Sequence, residues 1–193
     1  MTSGTVSSDL WNRKTFAVVT GASRGIGQAI VENLGEKLAP GSLILLISRD
    51  GTSLTSIQQD LQKRNSSIEI EIGISDLSTC NEANLNEIFD NVLSKRKAES
   101  FAHALCIHNA GSLGDPSKRC SEHGAMDVCT DYFQLNVASV IVLNSLFLQL
   151  FANVSKTVVN ISSLCGVVPV SSLSLYCSGK AARDMFFKVT SEI

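Results

Sequence analysis

Five short apolar runs, separated by segments with helical spacing, constrain the fold of this chain more than any other feature. The runs lie at residues 15–20, 42–48, 68–75, 103–108 and 157–162. Helical patterns occupy residues 25–39, 53–64, 81–97 and 126–152, and another begins near residue 174. Strands that alternate with helices form parallel sheets through right-handed crossovers. Nearly unbroken apolar strands are typical of a sheet covered on both faces. The pattern predicts an α/β fold with a doubly wound, Rossmann-like parallel sheet of strand order 3-2-1-4-5.

Composition places the chain among folded proteins and argues against one class of partner. Its 193 residues, 44% of them hydrophobic and 18% charged, are sufficient for one domain with a buried core. We expect that domain to span residues 1–193. The formal net charge is -2, whereas proteins that bind nucleic acid usually carry a basic excess. We therefore expect no nucleic-acid partner.

Three features predict a cytoplasmic protein without a membrane partner. The start, MTSGTVSSDLWNRK, is polar and lacks the apolar centre of a signal peptide. The apolar run at 140–151 contains Asn144 and Gln149, and it is shorter than the about 20 residues that a spanning helix needs. We expect a buried helix there. The six cysteines form no CxxC pair, which favours reduced thiols.

A metal site is not expected. His103 and Cys106 lie on the same predicted strand, and an offset of three residues directs their side chains to opposite faces. We interpret the pair Cys120 and His123 in the segment CSEH as a chance match to a zinc site as well.

A glycine-rich loop, TGASRGIG, follows the first predicted strand. Gly21, Gly25 and Gly27 have the spacing G-x-x-x-G-x-G, a variant of the dinucleotide-binding pattern. Glycines permit a sharp turn and a close approach of phosphate to the backbone, and the amino end of the following helix attracts negative charge. We expect the pyrophosphate of a dinucleotide to bind at Gly21, Ala22, Ser23, Arg24, Gly25, Ile26 and Gly27.

The same loop also matches the nucleophile elbow of serine hydrolases, G-x-S-x-G, with Ser23 as the nucleophile. Two observations disfavour this alternative. The elbow would follow the first strand, so no earlier strand could supply the usual oxyanion loop. The last histidine of the chain is His123, which leaves the final helix without a role.

Two arginines, one after the second strand and one in the glycine loop, favour NADP(H) as the cofactor. Arg49 can pair with a 2′-phosphate, and Arg24 in the glycine loop can join it. Asp50 opposes this preference, because an acidic residue near this position binds the ribose of NAD. After the third strand we expect Asp76 and Leu77 beside the adenine, although Asp76 could equally cap a helix.

Residues 174–190 contain a tyrosine and a lysine one helical turn apart. Tyr176 and Lys180 are four residues apart and therefore share a helix face. A nearby cation favours the phenolate, so this pair can transfer a proton to a carbonyl oxygen. Ser163 and Ser162, after the fifth strand, could bind the same substrate oxygen. Asn136, in the long helix, could bind a water that supplies protons to Lys180.

The segments TGASRGIG, NAG, VVNISS and YCSGK together resemble the short-chain dehydrogenase/reductase family. The resemblance implies that Tyr176 is the acid/base and that Ser163 anchors the carbonyl. It also implies that Lys180 binds the ribose and that Asn136 belongs to a proton relay. The backbone at Asn109 would lie against the cofactor.

Three segments, HNAGSLGDPSK, TVVNISSLCG and LYCSGKAARDMFF, resemble family members that reduce side-chain carbonyls of pterins. This resemblance implies a pterin or another small carbonyl compound as substrate, NADPH as reductant and a cytoplasmic location. It also implies a homodimer of the full-length protein, formed through helices at about 126–152 and 174–192.

Family members continue past the Tyr/Lys helix with further strands, a Pro-Gly segment, a substrate lid and a late aspartate. This sequence ends at Ile193, so we expect a domain that is incomplete at its carboxyl end and lacks the last strands. The first hypothesis is a carbonyl reductase in which this chain binds NADPH weakly and turns over slowly. The alternative is a catalytically inactive nucleotide-binding or regulatory protein.

Overall fold

The structure, a computed structural model, describes residues 11–190 and contains a five-stranded parallel sheet of order β3-β2-β1-β4-β5. The strands are β1 Thr15–Thr20, β2 Leu43–Ser48, β3 Glu69–Ile74, β4 His103–His108 and β5 Ser155–Asn160. The doubly wound prediction and its strand order are confirmed. Residues 1–10, where the sequence predicts no signal peptide, lie outside the described residues, as do residues 191–193.

Six α-helices connect and cover these strands in the described part of the chain. They are α1 Gly25–Lys37, α2 Gly51–Arg64, α3 Glu82–Leu93, α4 Met126–Phe133, α5 Ser139–Leu150 and α6 Ser174–Thr190. A π-helical turn, Gln134–Ala138, joins α4 to α5. The predicted bounds of β1 and β4 are identical to these, and nearly all other predicted boundaries lie within two residues of the observed ones. The helix predicted to reach residue 97 ends at Leu93, and Arg96 beyond it pairs with Glu69 at 2.6 Å.

Two apolar layers enclose the sheet. On one face, Phe16 of β1 packs with Phe89 of α3 and with Phe147 and Phe151 at the end of α5. On the other face, side chains of α1 and α2 cover β1, β2 and β4. Strands β1 and β4 are buried along their whole length, whereas the edge strands β3 and β5 are partly exposed. This difference explains why the central runs are the most continuously apolar.

The predicted buried helix at 140–151 is part of a longer one. Residues Met126–Leu150 form 25 helical residues that contain an 18-residue window with a mean hydropathy of 1.5, which by length and composition could cross a membrane. In the fold, Leu143 and Phe147 are buried in the core beside the sheet, and the amide of Asn144 contacts His108 at 3.3 Å. We therefore interpret this segment as a core helix.

The carboxyl ends of all five strands meet at one edge of the sheet, where ligands bind in folds of this type. The glycine loop follows β1 at this edge, Arg49 follows β2, and Asp76 follows β3. Asn109 follows β4, and Ser163 lies shortly after β5. The topology therefore brings the predicted site residues to a single crevice.

Candidate active site

The glycine loop adopts a conformation that requires glycine at specific positions. Gly21 and Gly25 have φ of 66° and 57°, in the left-handed region that side chains disfavour. A Cβ added to Gly27 would overlap the carbonyl oxygen of Gly21. The Gly21 amide donates to the carbonyl of Ile47 in β2 at 2.8 Å. The loop is therefore a tight turn attached to the neighbouring strand.

Asn109 holds the glycine loop in place with its side chain. Its Nδ2 donates to the carbonyl oxygens of Thr20 and Gly21 at 3.0 and 3.2 Å. The hydroxyl of Thr20 accepts from the backbone amides of Asn109 and Ala110 at 3.1 and 3.0 Å. The cofactor contact at Asn109 stays a prediction, and the structure shows that the Asn109 side chain braces the turn. The sequence did not predict this role of Thr20, because a threonine at the end of a buried strand carries no distinctive signal.

Helix α1 begins without a side-chain cap. Arg24 occupies the cap position in an extended conformation and makes no capping hydrogen bond. Gly25 and Ile26, the first residues of the helix, are exposed, while Ala22 is buried. The first amides of a helix lack intrahelical partners, so those of α1 can donate hydrogen bonds to an anion. This arrangement fits the pyrophosphate of a dinucleotide.

The hydrolase alternative gains no support from the geometry. The hydroxyl of Ser23 shares a 2.8 Å hydrogen bond with the hydroxyl of Ser48 at the end of β2. Two histidines, His103 and His108, lie within β4 and contact Ser155 and Asn144 instead. Ser23 therefore acts as a structural link between the glycine loop and β2.

The two acidic residues near Arg49 are already occupied by hydrogen-bond donors. Asp50 caps α2 by accepting from the amide and hydroxyl of Ser53 at 3.0 and 2.7 Å, and these bonds lower its pKa. Asp76 accepts from the amide and hydroxyl of Ser78, which lowers its pKa, and it lies 3.6 Å from Arg49. Arg49 itself is 72% exposed along its side chain. Because the Asp50 carboxylate caps α2, it is less suited to bind a ribose. The Arg49 side chain is accessible to a ligand.

Leu77, predicted to lie beside the adenine, has its side chain in the apolar core with Leu45 and Phe89. Any contact between Leu77 and a nucleotide would thus involve its backbone.

Tyr176 and Lys180 lie on the same face of α6, as their spacing predicts. The Lys180 Nζ is 5.6 Å from the centre of the Tyr176 ring and donates to the carbonyl of Ile161 at 2.5 Å. Lys180 is only 6% exposed. Burial, followed by the nearby Arg183, lowers its pKa from 10.5 to about 8, and Asp184 opposes the shift. The ammonium is therefore held beside the phenol at the end of β5.

The two serines after β5 have different environments. The Ser163 hydroxyl accepts from the amide of Cys165 at 3.2 Å, which leaves its own proton available for a ligand. The Ser162 hydroxyl donates to Asp184 at 2.7 Å. Its proton is thus engaged within the protein, and a contact between Ser162 and substrate stays a prediction. Ser163 is the better placed of the two.

Asn136 lies in the π-helical turn and is 3% exposed. Its Nδ2 donates to the carbonyl of Tyr132 at 2.9 Å, and its Oδ1 accepts from the amide of Ser112 at the same distance. Each end of the amide makes one hydrogen bond within the protein, so the side chain fixes the loop after β4, and its role in a proton relay stays a prediction. Single π turns are frequent at functional sites, which agrees with a role for this segment.

A cavity of about 230 Å³ lies beside this loop. Ser112, Tyr132, Asn136 and Leu175 are among its lining residues. The Tyr132 hydroxyl is buried without a hydrogen-bond partner among the described residues, and burial raises its pKa. The cavity adjoins the amino end of α6.

Sequence analysis missed two further charged residues at this site. Arg183 is buried and Asp184 is partly buried, and both contact the end of β5. Their positions, three and four residues after Lys180 on a helix, could have indicated a shared face. Among residues 11–190, no cluster of three or more histidine, cysteine or acidic side chains could hold a metal ion.

The sheet order, the glycine turn and the Tyr/Lys helix define a dinucleotide-binding fold with a proton-transfer group. The sequence matches the short chain dehydrogenase family over residues 15–192. The chain belongs to this family.

Within it, the chain is similar to sepiapterin reductases. It is 40% identical to that of Meriones unguiculatus and 38% identical to that of Rattus norvegicus, over 89% of this chain and 66% of each relative. It therefore spans slightly less than two thirds of the length of these relatives. A benzil reductase of Bacillus subtilis (strain 168) is 34% identical, over 88% of this chain and 63% of the relative.

Solved structures agree on the fold. A short chain dehydrogenase from Escherichia coli CFT073, in complex with NADPH, matches with a TM-score of 0.79 and 23% identity. The match covers 96% of this chain and 73% of that one. A short chain dehydrogenase from Pseudomonas syringae matches with a TM-score of 0.81 and 17% identity, over 96% and 71% of the two chains.

Proposed function

We propose that this chain carries the cofactor and catalytic parts of an NADPH-dependent carbonyl reductase of the sepiapterin reductase type. Its substrates would be the side-chain carbonyls of pterins such as sepiapterin and 6-pyruvoyl-tetrahydropterin, in tetrahydrobiopterin synthesis. The observation that carries the proposal is the buried Lys180 ammonium beside Tyr176, at the sheet edge that also bears the glycine turn. The identity to sepiapterin reductases supports the choice of substrate.

The cofactor would be held by the turn at residues 21–27 and by the uncapped start of α1. Arg24 and Arg49 would favour NADPH over NADH, because a guanidinium pairs with the 2′-phosphate. Lys180 would donate to the ribose in addition to its bond to Ile161. Bound NADPH supplies a hydride to the carbonyl carbon.

The residues of the chain would manage the proton and the charge. Ser163 would donate a hydrogen bond to the carbonyl oxygen, which orients it and stabilises the negative charge that develops there. Tyr176 would transfer its phenolic proton to the same oxygen. Lys180, charged below a pKa of about 8, would stabilise the resulting phenolate. Asn136 would hold the loop after β4 so that this geometry is maintained.

The alternative of an inactive regulatory protein is not favoured. Tyr176, Lys180, Ser163 and Asn136 are all present, and the similar relatives are reductases.

Location and assembly belong to the same proposal. We expect a cytoplasmic enzyme that forms a homodimer when full length. Met126, Val128 and Val142 on α4 and α5, together with Met185 and Val189 on α6, expose apolar surface that a second subunit could cover.

The test is NADPH oxidation by this chain with sepiapterin or benzil as the carbonyl compound. We expect a low rate that is higher with sepiapterin and falls at least about 100-fold in Tyr176→Phe, with NADPH binding unchanged by fluorescence titration. Phe133→Leu, outside the catalytic group, serves as the matched control. A rate that is equal in the wild type and Tyr176→Phe would contradict the proposed function, and a preference for benzil would contradict the pterin assignment.

A further inference from the structure

We propose that Arg183 and Asp184 are a positioning pair, the α6 clamp, that fixes the catalytic helix to the ends of β4 and β5. The inference rests on the proposed reductase function, because the positions at stake are those of Tyr176 and Ser163. The two clamp residues follow Lys180 by three and four positions, so they share its helix face. They act through other groups and do not contact the reacting atoms themselves.

Arg183 joins two strand ends to the helix. Its side chain is 1% exposed. Nε donates to Asn160 Oδ1 at 2.9 Å, Nη1 to the carbonyl of Ala110 at 3.0 Å, and Nη2 to the carbonyl of His108 at 2.6 Å. A guanidinium offers these donors in a fixed plane, which a lysine ammonium cannot reproduce. A buried arginine with three acceptors therefore sets the distance and angle between α6, β4 and β5.

Asp184 completes the attachment to β5. Its Oδ1 accepts from Asn160 Nδ2 at 2.9 Å, and its Oδ2 accepts from the Ser162 hydroxyl at 2.7 Å. The amide of Asn160 is thus held at its oxygen by Arg183 and at its nitrogen by Asp184. Opposite charges at adjacent helix positions recognise the two ends of one amide, so its orientation is fixed.

Every residue from 160 to 162 is bound to α6. Asn160 and Ser162 contact the clamp, and the intervening Ile161 carbonyl accepts from Lys180. The next residue is Ser163, whose backbone therefore leaves a fixed point. Because Tyr176 lies two turns earlier on the same helix, the clamp sets the separation of the two proposed catalytic hydroxyls.

The clamp also reaches the loop after β4. Arg183 holds the carbonyl of Ala110, next to Asn109, which braces the glycine turn. Two residues further on, the amide of Ser112 donates to Asn136. Arg183 therefore joins helix α6 to the end of β5 and to the loop after β4.

The two clamp charges act on Lys180 in opposite directions. Arg183 lowers the pKa of Lys180, in addition to burial, while Asp184 raises it. On β4, His108 is neutral at pH 7 because burial lowers its pKa to about 4. The titratable groups that interact electrostatically with Arg183, on α6, α4 and β4, are Asp184, Tyr176, Lys180, Tyr132 and His108.

Three variants separate geometry from charge. Arg183→Lys keeps the charge but cannot reach all three acceptors, Arg183→Met removes the charge, and Asp184→Asn removes the opposing charge at nearly constant shape. We expect kcat for NADPH-dependent reduction to fall at least about tenfold in each, with the KM for NADPH changed less than about threefold, because a small misplacement of catalytic groups is costly. Phe187→Leu, whose ring packs 5.3 Å from His108, is the matched control for lost packing on the same helix.

The second readout does not depend on turnover. The pKa of Lys180 is followed by NMR of its side chain in the wild type and each variant. We expect it to rise in Arg183→Met, to fall in Asp184→Asn and to stay close to the wild-type value in Arg183→Lys and Phe187→Leu. If Arg183→Met does not fold, Arg183→Lys and Asp184→Asn still provide both measurements.

Two results would overturn the clamp. One is an unchanged kcat in Arg183→Lys and Asp184→Asn. The other is a rise of the Lys180 pKa in both Arg183→Met and Asp184→Asn, which is expected if the helix merely loosens and admits water. If the wild type itself reduces no carbonyl, the proposed function fails, whereas opposite pKa shifts would still support the clamp.

Discussion

The glycine turn at residues 21–27 and helix α6, which carries Tyr176 and Lys180, lie at the same edge of the sheet, but different contacts hold them in place. The turn depends on backbone bonds, on the absence of a side chain at Gly21 and Gly27, and on the uncharged amide of Asn109, and its charged neighbours Arg24 and Arg49 are exposed. The helix depends on side chains that are charged and buried, above all Lys180 and Arg183. A binding surface for a charged ligand can thus remain open to water, while a proton-transfer group needs a dry and fixed environment.

The difference has an energetic consequence. A buried charge with satisfied hydrogen bonds contributes little net stability, but removing one of its partners is costly. An exposed ion pair contributes little in either case. Substitutions in the two regions should therefore differ in their effects on the free energy of unfolding, on the pH dependence of the reaction rate and on the salt dependence of NADPH binding.

The largest effect is expected within the glycine turn, in Gly27→Ala. The added Cβ would overlap the Gly21 carbonyl, and the loop has no free space in which to move because Asn109 lies against it. We expect a loss of about 3 kcal/mol in the free energy of unfolding, measured by urea denaturation, together with a loss of NADPH binding.

Gly25→Ala is the matched control. Its Cβ would meet nothing within 4 Å, although φ is 57°. The expected cost is about 1 kcal/mol, from backbone strain alone. Equal losses at the two positions would show that the overlap at Gly27 costs no more than the backbone strain at Gly25, which would contradict the close-packing explanation.

The next effect concerns helix α6: the rate of carbonyl reduction should depend on pH through Lys180. The pKa of Lys180 is about 8 in the folded chain, against 10.5 for an ordinary lysine. The ammonium is present below pH 8 and lost above it, so the rate of carbonyl reduction should fall by up to about tenfold per pH unit beyond 8. A rate that stays constant to pH 10 would show that the lysine charge is not required.

Stability should respond in the opposite direction. Between pH 8 and 10.5 the unfolded chain keeps the lysine proton and the folded chain does not. The contribution of this group to the free energy of unfolding therefore rises with pH in that window. Lys180→Met, which cannot titrate, should lack this rise when unfolding is compared across the same pH values.

The glycine turn was predictable from the sequence to the residue, whereas the surroundings of the catalytic helix were not. Gly21 and Gly27 act through their own backbone, and a cap such as Asp50 acts on a neighbour three residues away. Arg183 instead pairs with carbonyls 73 and 75 positions earlier in the chain. Spacing along one helix indicates which residues share a face, but it does not identify their distant partners.

The same limit explains the differences at Ser162 and Asn136. Both residue types suit the predicted roles, but in the fold their hydrogen-bonding groups are taken by Asp184, Tyr132 and Ser112. The proximity of Tyr176 and Lys180 was predictable, because it depends only on a local spacing of four residues on one helix.

A moderate effect is expected for Asn109→Ala. Asn109 connects the two regions, because it binds the glycine turn and is the neighbour of Ala110, whose carbonyl accepts from Arg183 on α6. The variant loses two hydrogen bonds from Nδ2 to the carbonyls of Thr20 and Gly21. We expect a loss of about 1 to 2 kcal/mol in the free energy of unfolding and weaker NADPH binding. Asn33→Ala, which loses a single exposed bond within α1, is the control and should change stability by less than about 0.5 kcal/mol. Similar losses in the two variants would mean that Asn109 does not brace the turn.

The smallest effect on stability is expected for Arg49→Ala. Arg49 is exposed and lies 3.6 Å from Asp76, which also has two bonds from Ser78. Such a pair contributes less than about 1 kcal/mol, so urea denaturation should scarcely distinguish the variant from the wild type. Binding should change more, because the variant loses a cation that would face the 2′-phosphate of NADPH. We expect NADPH affinity to fall and its dependence on salt to weaken, while NADH affinity stays constant. An equal loss for both cofactors would show that Arg49 does not select between them, and the exposed charges of this region would then serve solubility rather than recognition.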